Sequence, residues 1–242
     1  MIAGRAADPA LQFTLFSKGY AAEALVRVGL LSPAKIANLI ASREGAAGIA
    51  SIGPVPTLLV GMYAVAALRH SYWATFTNKT YFPPKASFAV SFLNGAVNTL
   101  NTLICTYTLA TAAPNASSGW SGALGWRQLV GAVLFATGIA LEVLSEEMRK
   151  RFKAEPANKG KVHGTGLFRI VRHPNYLGYL LWRVGITLAA GSPRAALAMG
   201  LIQAGFFSLS IPELEAYMKK RYGEEWEEHR ARVPYKMIPG IF

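Results

Sequence analysis

The sequence predicts an all-α fold: a multi-pass integral membrane helical bundle of about six or seven transmembrane helices. Three observations carry that expectation. Only 16% of the 242 residues are charged, while 52% are hydrophobic; an ordinary soluble domain has about 25% charged residues. The apolar residues gather into runs near the length that crosses a bilayer core, roughly 20 residues. The basic residues, which set a formal net charge of +12, leave those runs almost clean and collect between them and in the tail, as cationic loops do beside a cytoplasmic leaflet.

Taken in order, the stretch 11–32 is apolar but interrupted by Lys18, Glu23 and Arg27, so it either spans or lies in the interface. Residues 54–76, "PVPTLLVGMYAVAALRHSYWATF", form the first firm span and turn polar toward its end. Residues 86–113 form the second and 123–144 the third. Residues 176–191 and 194–211 form two more, parted by the turn "GSP". Counting spans places the charged segments 77–85, 149–173 and the tail after 216 on one side, and the quiet loops at 114–122 and near 192 on the other. The positive-inside rule makes the charged side cytoplasmic. The sequon at Asn115, Ala116 and Ser117 agrees with a quiet loop outside; the one at Asn78, Lys79 and Thr80 reads as accidental. The N-terminus lacks the pattern of a secretory signal, so insertion is expected from the first spanning helix. No internal repeat is apparent. The chain therefore reads as a single membrane domain, 1–242, with 1–122 on the substrate side and 123–242 as the cofactor-binding half.

Several classes are set aside. Cys105 is the sole cysteine, which excludes an internal disulfide and a cysteine-based zinc site. It reads as a small buried hydrophobe. No nucleic-acid recognition motif accompanies the positive charge. No second histidine stands at ligand spacing from His173, so no metal is expected. The expected partners are a lipophilic small-molecule substrate and membrane lipid; the sequence names no protein partner.

The chemistry concentrates in residues 142–178, "EVLSEEMRKRFKAEPANKGKVHGTGLFRIVRHPNYLG". Glu142 and Glu146 share one helix face, as do Arg149 and Lys153. Glu142 lies near the membrane end of its helix, where an ionisable residue is a functional candidate. Pro156, Asn158 and Gly160 then break the helix, and Lys159 and Lys161 add charge. This basic density fits phosphates through charge-assisted bonds, or equally an anionic lipid surface. The run "RHPNY" then sets Arg172 with its planar fork of donors and Asn175 with both donor and acceptor. Tyr176 and Phe168 offer flat faces, and Pro174 starts the next helix, itself an anion site. Such a group suits a charged, planar nucleotide, or alternatively a snorkelling interface anchor. His173 alone reads as structural. In the tail, "PELEAYMKKRYGEEWEEHRARVPYKMIPGIF" repeats Glu213, Glu215, Tyr217, Tyr222, Trp226 and His229 near helical spacing, compatible with a site wall or with a solvated helix.

These two constellations together resemble the C-terminal half of the membrane steroid and sterol reductase superfamily, which includes steroid 5α-reductases, sterol C14 and C7 reductases and the domain-of-unknown-function 1295 proteins. The segments "FKAEPANKGKVHGTGLFRIVRHPNYLG" and "KKRYGEEWEEHRARVPYKMIPGIF" look like its signatures over about the last 100 residues. "GPVPTLLVGMYAVAALRHSYWATF" and "SFLNGAVN" look like the 5α-reductase branch. Isoprenylcysteine and phospholipid methyltransferases share the clamp. The resemblance implies Arg149 and Lys153 near cofactor phosphates, and Phe168, Arg172, His173, Asn175 and Tyr176 along the nucleotide. It puts Glu215 and Tyr222 across the site from the tail, and Asn94 facing nicotinamide or substrate. Tyr179 and His229 depart from the reductase pattern. Ala74 falls near the tyrosine that holds the steroid carbonyl, with Tyr72 and Trp73 beside it.

The expectation is an NADPH-dependent oxidoreductase that reduces a carbon–carbon double bond in a sterol-, steroid- or enone-like substrate, in the endoplasmic reticulum membrane with its cofactor site toward the cytoplasm. Tyr72, or a Glu142–Glu146 network, is expected to polarise the acceptor or deliver the proton. The alternatives are a methyltransferase using S-adenosylmethionine on a lipid or prenylated acceptor, and a non-enzymatic lipid-binding protein. Arg149, Lys153, Lys159 and Lys161 weigh toward a phosphate-bearing cofactor, because S-adenosylmethionine carries no phosphate.

Overall fold

The computed structural model describes residues 1–41, 51–78, 81–112 and 124–242. Among them the chain is helical, without a strand. Its helices are α1 (Ile2–Ser17), α2 (Tyr20–Arg27), α3 (Pro33–Ala41), α4 (Pro54–Tyr72), α5 (Pro84–Thr111), α6 (Trp126–Ala154), α7 (Pro174–Ala189), α8 (Pro193–Tyr222) and α9 (Glu224–Arg232). Five of them begin on proline, the residue whose fixed φ and missing N–H cost nothing at the first helical position. A five-residue π-helical turn, Trp73–Thr77, continues α4. Gly223, at φ 59°, turns the chain from α8 into α9.

Among the described residues, three helices have the length and composition to cross a membrane: α5 with 28 residues, α6 with 29 and α8 with 30. Of the expected six or seven spans, these three are supported by length and composition among the described residues. At about 1.5 Å per residue, the 16 residues of α7 reach roughly 24 Å, short of a bilayer core of about 30 Å. Helix α4 has 19 residues, carries Arg69 and His70 in its last turn and runs on into the π-helical turn. The stretch 11–32 is no continuous helix, because Gly19 at φ 75° separates α1 from α2. The sequon at residues 115–117 and most of its loop lie outside the described residues. On α8, Leu197, Leu201, Ile202, Phe206 and Leu209 are all exposed, an apolar face of the kind lipid covers.

The chain divides into two compact units, Met1–Val133 with Gly185–Ala196, and Leu134–Val184 with Leu197–Phe242. In the first, α1 lays Arg5, Asp8, Gln12 and Phe16 along the buried stripe of α5 that contains Asn94, Asn98, Asn101 and Thr102. Asp8 accepts from Arg5 at 3.2 Å, from the Gln12 amide at 3.0 Å and from the Asn98 amide at 2.6 Å. Thr102 donates to Gln12 at 2.8 Å. A buried carboxylate is stable only with such a complement of partners.

In the second unit, α6 and α7 touch backbone to backbone. A Cβ on Gly138 would come within 2.4 Å of the Trp182 nitrogen, and one on Gly178 within 2.7 Å of the Glu142 nitrogen. This closeness brings the Trp182 indole N–H to the Glu142 carboxylate at 2.8 Å. The second core gathers Phe207, Ile211 and Met237, with Tyr176, Tyr179 and Leu180 packed against it.

Candidate cofactor site

The run "RHPNY" sits where a short extended approach enters α7, and its first two residues face the tail. Arg172 gives its Nε and Nη2 to Glu215, each at 2.8 Å. Its Nη1 donates to the carbonyls of Val233 at 2.7 Å and Pro234 at 2.8 Å. The backbone N–H groups of Arg172 and His173 donate to Tyr235 at 3.0 Å and Lys236 at 2.7 Å. The His173 ring lies 3.3 Å from the same Glu215 oxygen. Both side chains are buried. A planar fork with five donors is the residue type that can hold a carboxylate and two carbonyls at once. Arg172, His173 and Glu215 are thus joined into an internal latch that fixes the tail against the start of α7.

The other half of the run opens a second cluster. Asn175 donates to Glu146 at 3.4 Å, and Glu146 is paired with Arg149. Tyr176 stacks between His173, 5.5 Å between ring centroids, and Phe207, 4.9 Å. Beside Arg149, His163 lies flat on Phe152 at 4.5 Å and tilted against Phe168 at 4.7 Å. Burial, and then the Arg149 and Lys153 cations, hold the His163 pKa below its ordinary value, so the ring is neutral at pH 7. Its Nδ1 is buried without a hydrogen-bond partner. The loop is pinned to α9: the Val162 N–H donates to Glu225 at 3.0 Å, and a Cβ on Gly164 would stand 3.1 Å from the His229 ring. Burial, with Arg232, Arg172, His173 and His163 nearby, lowers the His229 pKa to about 4.

Among the residues singled out in the sequence, Glu146, Arg149, Phe168, Arg172, His173, Asn175, Tyr176 and Glu215 fall in these two connected groups. Glu142 is turned to Trp182 instead. Lys153 is exposed and contributes its field. Tyr222 ends α8 with the Arg221 guanidinium 5.6 Å from its ring. Tyr72 and Asn94 belong to the other unit: Tyr72 is partly exposed beside Phe76, and Asn94 is buried with its amide on the Val90 carbonyl at 2.7 Å.

Sequence reasoning passed over His163, the tail carbonyls, the Asp8 network and Arg183. Arg183 is buried with its guanidinium 4.4 Å from the Trp182 ring centroid and donates to the Tyr179 hydroxyl. A charge inside the apolar run "YLLWRVGITLAA" was the available signal for it. No group of three or more histidine, cysteine or acidic residues is placed to hold a metal among the described residues.

Residues 71–233, more than half of the chain, match the family model described as protein of unknown function DUF1295. The chain belongs to this family. Among curated proteins it is 32% identical over 165 residues to a probable O-methyltransferase, ustE, of Ustilaginoidea virens, covering 68% of this chain and 58% of that one. It is 30% identical over 109 residues to protein-S-isoprenylcysteine O-methyltransferase B of Arabidopsis thaliana, covering 40% and 55%. With the protein-S-isoprenylcysteine O-methyltransferase of Schizosaccharomyces pombe it shares 35% over 69 residues, 28% and 29% of the two chains. The chain thus spans somewhat over half the length of the first two relatives.

These names overturn the expected NADPH-dependent oxidoreductase and its sterol-reductase chemistry: the relatives are O-methyltransferases. The cationic loop misled for a physical reason. Arg149 is already paired with Glu146 and Lys150 lies 3.4 Å from Glu147. The remaining cations next to a membrane helix meet an anionic lipid surface as well as they meet a 2′-phosphate.

Proposed function

We propose that this DUF1295 chain is a membrane methyltransferase that uses S-adenosylmethionine to methylate an oxygen of a lipophilic acceptor, a lipid or a prenylated molecule. The reading rests above all on the O-methyltransferase relatives, together with the presence of "RHPNY" and Glu215 inside the matched segment. The donor set around Asn175 fits such a cofactor. Glu146, whose charge is shared with Arg149, offers an anion to a sulfonium or an ammonium, and Phe168 offers a flat face to a purine. His163 Nδ1, buried and unpartnered, is of the type that completes itself with a polar group of a ligand. Bound there, S-adenosylmethionine would supply a methyl group activated by the positive sulfur.

In this reading Asn175 orients Glu146, Phe168 holds the ring, Tyr176 backs the wall between His173 and Phe207, and the Arg172–Glu215 latch keeps the wall rigid without touching the ligand. The side carrying the basic segments is the cytoplasmic one. The test is calorimetric titration of the purified full chain with S-adenosylhomocysteine and with NADPH. Binding of the first and not the second is expected; NADPH binding without S-adenosylhomocysteine binding would refute the assignment.

A further inference from the structure

The segment between α6 and α7, residues 155–173, forms a strap that is tied to α6 at two points. The Asn158 amide donates to the Phe152 carbonyl at 3.1 Å. Gly166, at φ 59°, rests on the tip of Met148, where any Cβ would clash. Between the two ties the strap is fastened to α9 instead. The Val162 N–H donates to the Glu225 carboxylate at 3.0 Å, and the Gly164 backbone lies so close to His229 that a Cβ would stand 3.1 Å from the ring. Glu225 and His229 are four residues apart and so share one face of α9. His163 stands between the two fastened residues, and its ring lies flat on Phe152 of α6 at 4.5 Å and tilted against Phe168 at 4.7 Å. Its place is therefore set from α9, through its two neighbours in the chain.

Helix α9 is the fixed partner in this pairing. Trp226 and His229 are buried, Glu227 is paired with Lys219 of α8 at 3.0 Å, and the carbonyls just past its end are held by Arg172. The strap has less to hold it. Its longest helical turn has four residues, and Lys159 and Lys161 are exposed. An N–H bonded to a carboxylate is charge-assisted and shifts a closed–open equilibrium by about ten- to hundredfold. His229 adds shape rather than charge: with a pKa of about 4, its ring is neutral at pH 7. The fastening thus combines one strong polar bond with one close contact of backbone on ring.

We propose that Glu225 and His229 are positioning residues for the cofactor: acting from α9 through the strap, they hold His163 and Phe168 at the site, and the cofactor enters and leaves when the fastening opens. The proposal rests on the methyltransferase reading for the ligand and on the strap geometry for the residues. The experiment compares the purified full chain in detergent with three variants of the fastening. Glu225→Ala breaks it from α9, Gly164→Val breaks it from the strap, and Glu225→Gln keeps an acceptor for the Val162 N–H. Glu224→Ala removes the same charge from the exposed neighbouring position and serves as the control. Two quantities are read. One is the rate at which trypsin cuts after Lys159 and Lys161 without ligand, followed by fragment mass, which reports the open population. The other is the calorimetric affinity for S-adenosylhomocysteine, which scales with the closed population.

In Glu225→Ala and Gly164→Val, cutting should be about tenfold faster and S-adenosylhomocysteine binding about tenfold weaker, the scale of one charge-assisted bond. Glu225→Gln should fall between the parent and Glu225→Ala, and Glu224→Ala should match the parent. S-adenosylhomocysteine should slow the cutting of the parent. Faster cutting in both variants with parent-like affinity would mean that the fastening serves the fold alone and would overturn the proposal, as would parent-like cutting in both. No S-adenosylhomocysteine binding by the parent would refute the methyltransferase reading and the proposal with it; parent binding that neither variant weakens refutes the proposal alone.

Discussion

Replacing Arg172 with alanine tests whether the first half of "RHPNY" holds the protein or the ligand. The substitution deletes both contacts to Glu215 and the bonds to the Val233 and Pro234 carbonyls. Glu215 keeps only His173, 3.3 Å away, and the Val233 carbonyl faces a cavity. Removing one partner of a buried ion pair costs about 3–5 kcal/mol, and a stranded buried carbonyl about 1–3 kcal/mol. The two overlap, because relaxation lets water reach part of the gap, so about 4 kcal/mol is the expected loss. For a chain of this size each kcal/mol lowers the melting temperature by roughly 2–4 °C, which puts the fall at about 8–16 °C. Thermal unfolding of detergent-purified protein, followed by intrinsic tryptophan fluorescence, measures it. Arg172→Lys keeps the charge but not the fork and should fall in between. A melting temperature within about 2 °C of the parent, combined with loss of S-adenosylhomocysteine binding, would mean that Arg172 serves the ligand and that the latch argument is wrong.

Other outcomes follow from the same geometry. His229 has a folded pKa of about 4 against an ordinary 6.5, so the unfolded chain takes up a proton first as pH falls. Its contribution is complete above pH 6.5 and is lost as pH falls toward 4; His229→Gln should flatten the melting temperature over that window when unfolding is measured at a series of pH values. Asp8→Asn strips the buried Arg5 of its carboxylate and should destabilise by about 3 kcal/mol, read as a drop in melting temperature. Gly138→Val forces a branched side chain against the Trp182 backbone and should abolish the monodisperse peak in size-exclusion chromatography, whereas Gly61→Ala on α4, with nothing within 4 Å, should leave it intact. Asn175→Ala should weaken S-adenosylhomocysteine binding by the worth of one hydrogen bond, about 0.5–1.5 kcal/mol or roughly two- to tenfold, with the melting temperature almost unchanged.

The long spans were legible because length and apolar composition alone define them: α5, α6 and α8 lie where the apolar runs at 86–113, 123–144 and 194–211 place them. The shorter α4 and α7 were legible as helices, although hydropathy did not report where each one stops. Arg172 shows a different limit. Its donors are visible in the sequence, but its acceptors lie 43 and 61 residues away, and two of them are backbone carbonyls that no residue type announces. The Asp8 network escaped for a similar reason: Asp8 and Asn98 are 90 positions apart. Methyltransferase and reductase could not be separated on cations alone, because charge density near a membrane does not name its counter-ion.

The latch also sets an order of events during biosynthesis. Arg172 emerges with α7, but the carbonyl of Val233 lies 61 residues later. At about 5–20 residues per second, the ribosome needs roughly 3–12 s to supply it. Throughout that interval the guanidinium and the start of α7 are without their tail. The C-terminal unit therefore reaches its final form only after α8 and α9 have been made, and a nascent chain stalled before residue 233 is one whose α7 entrance is still unlocked.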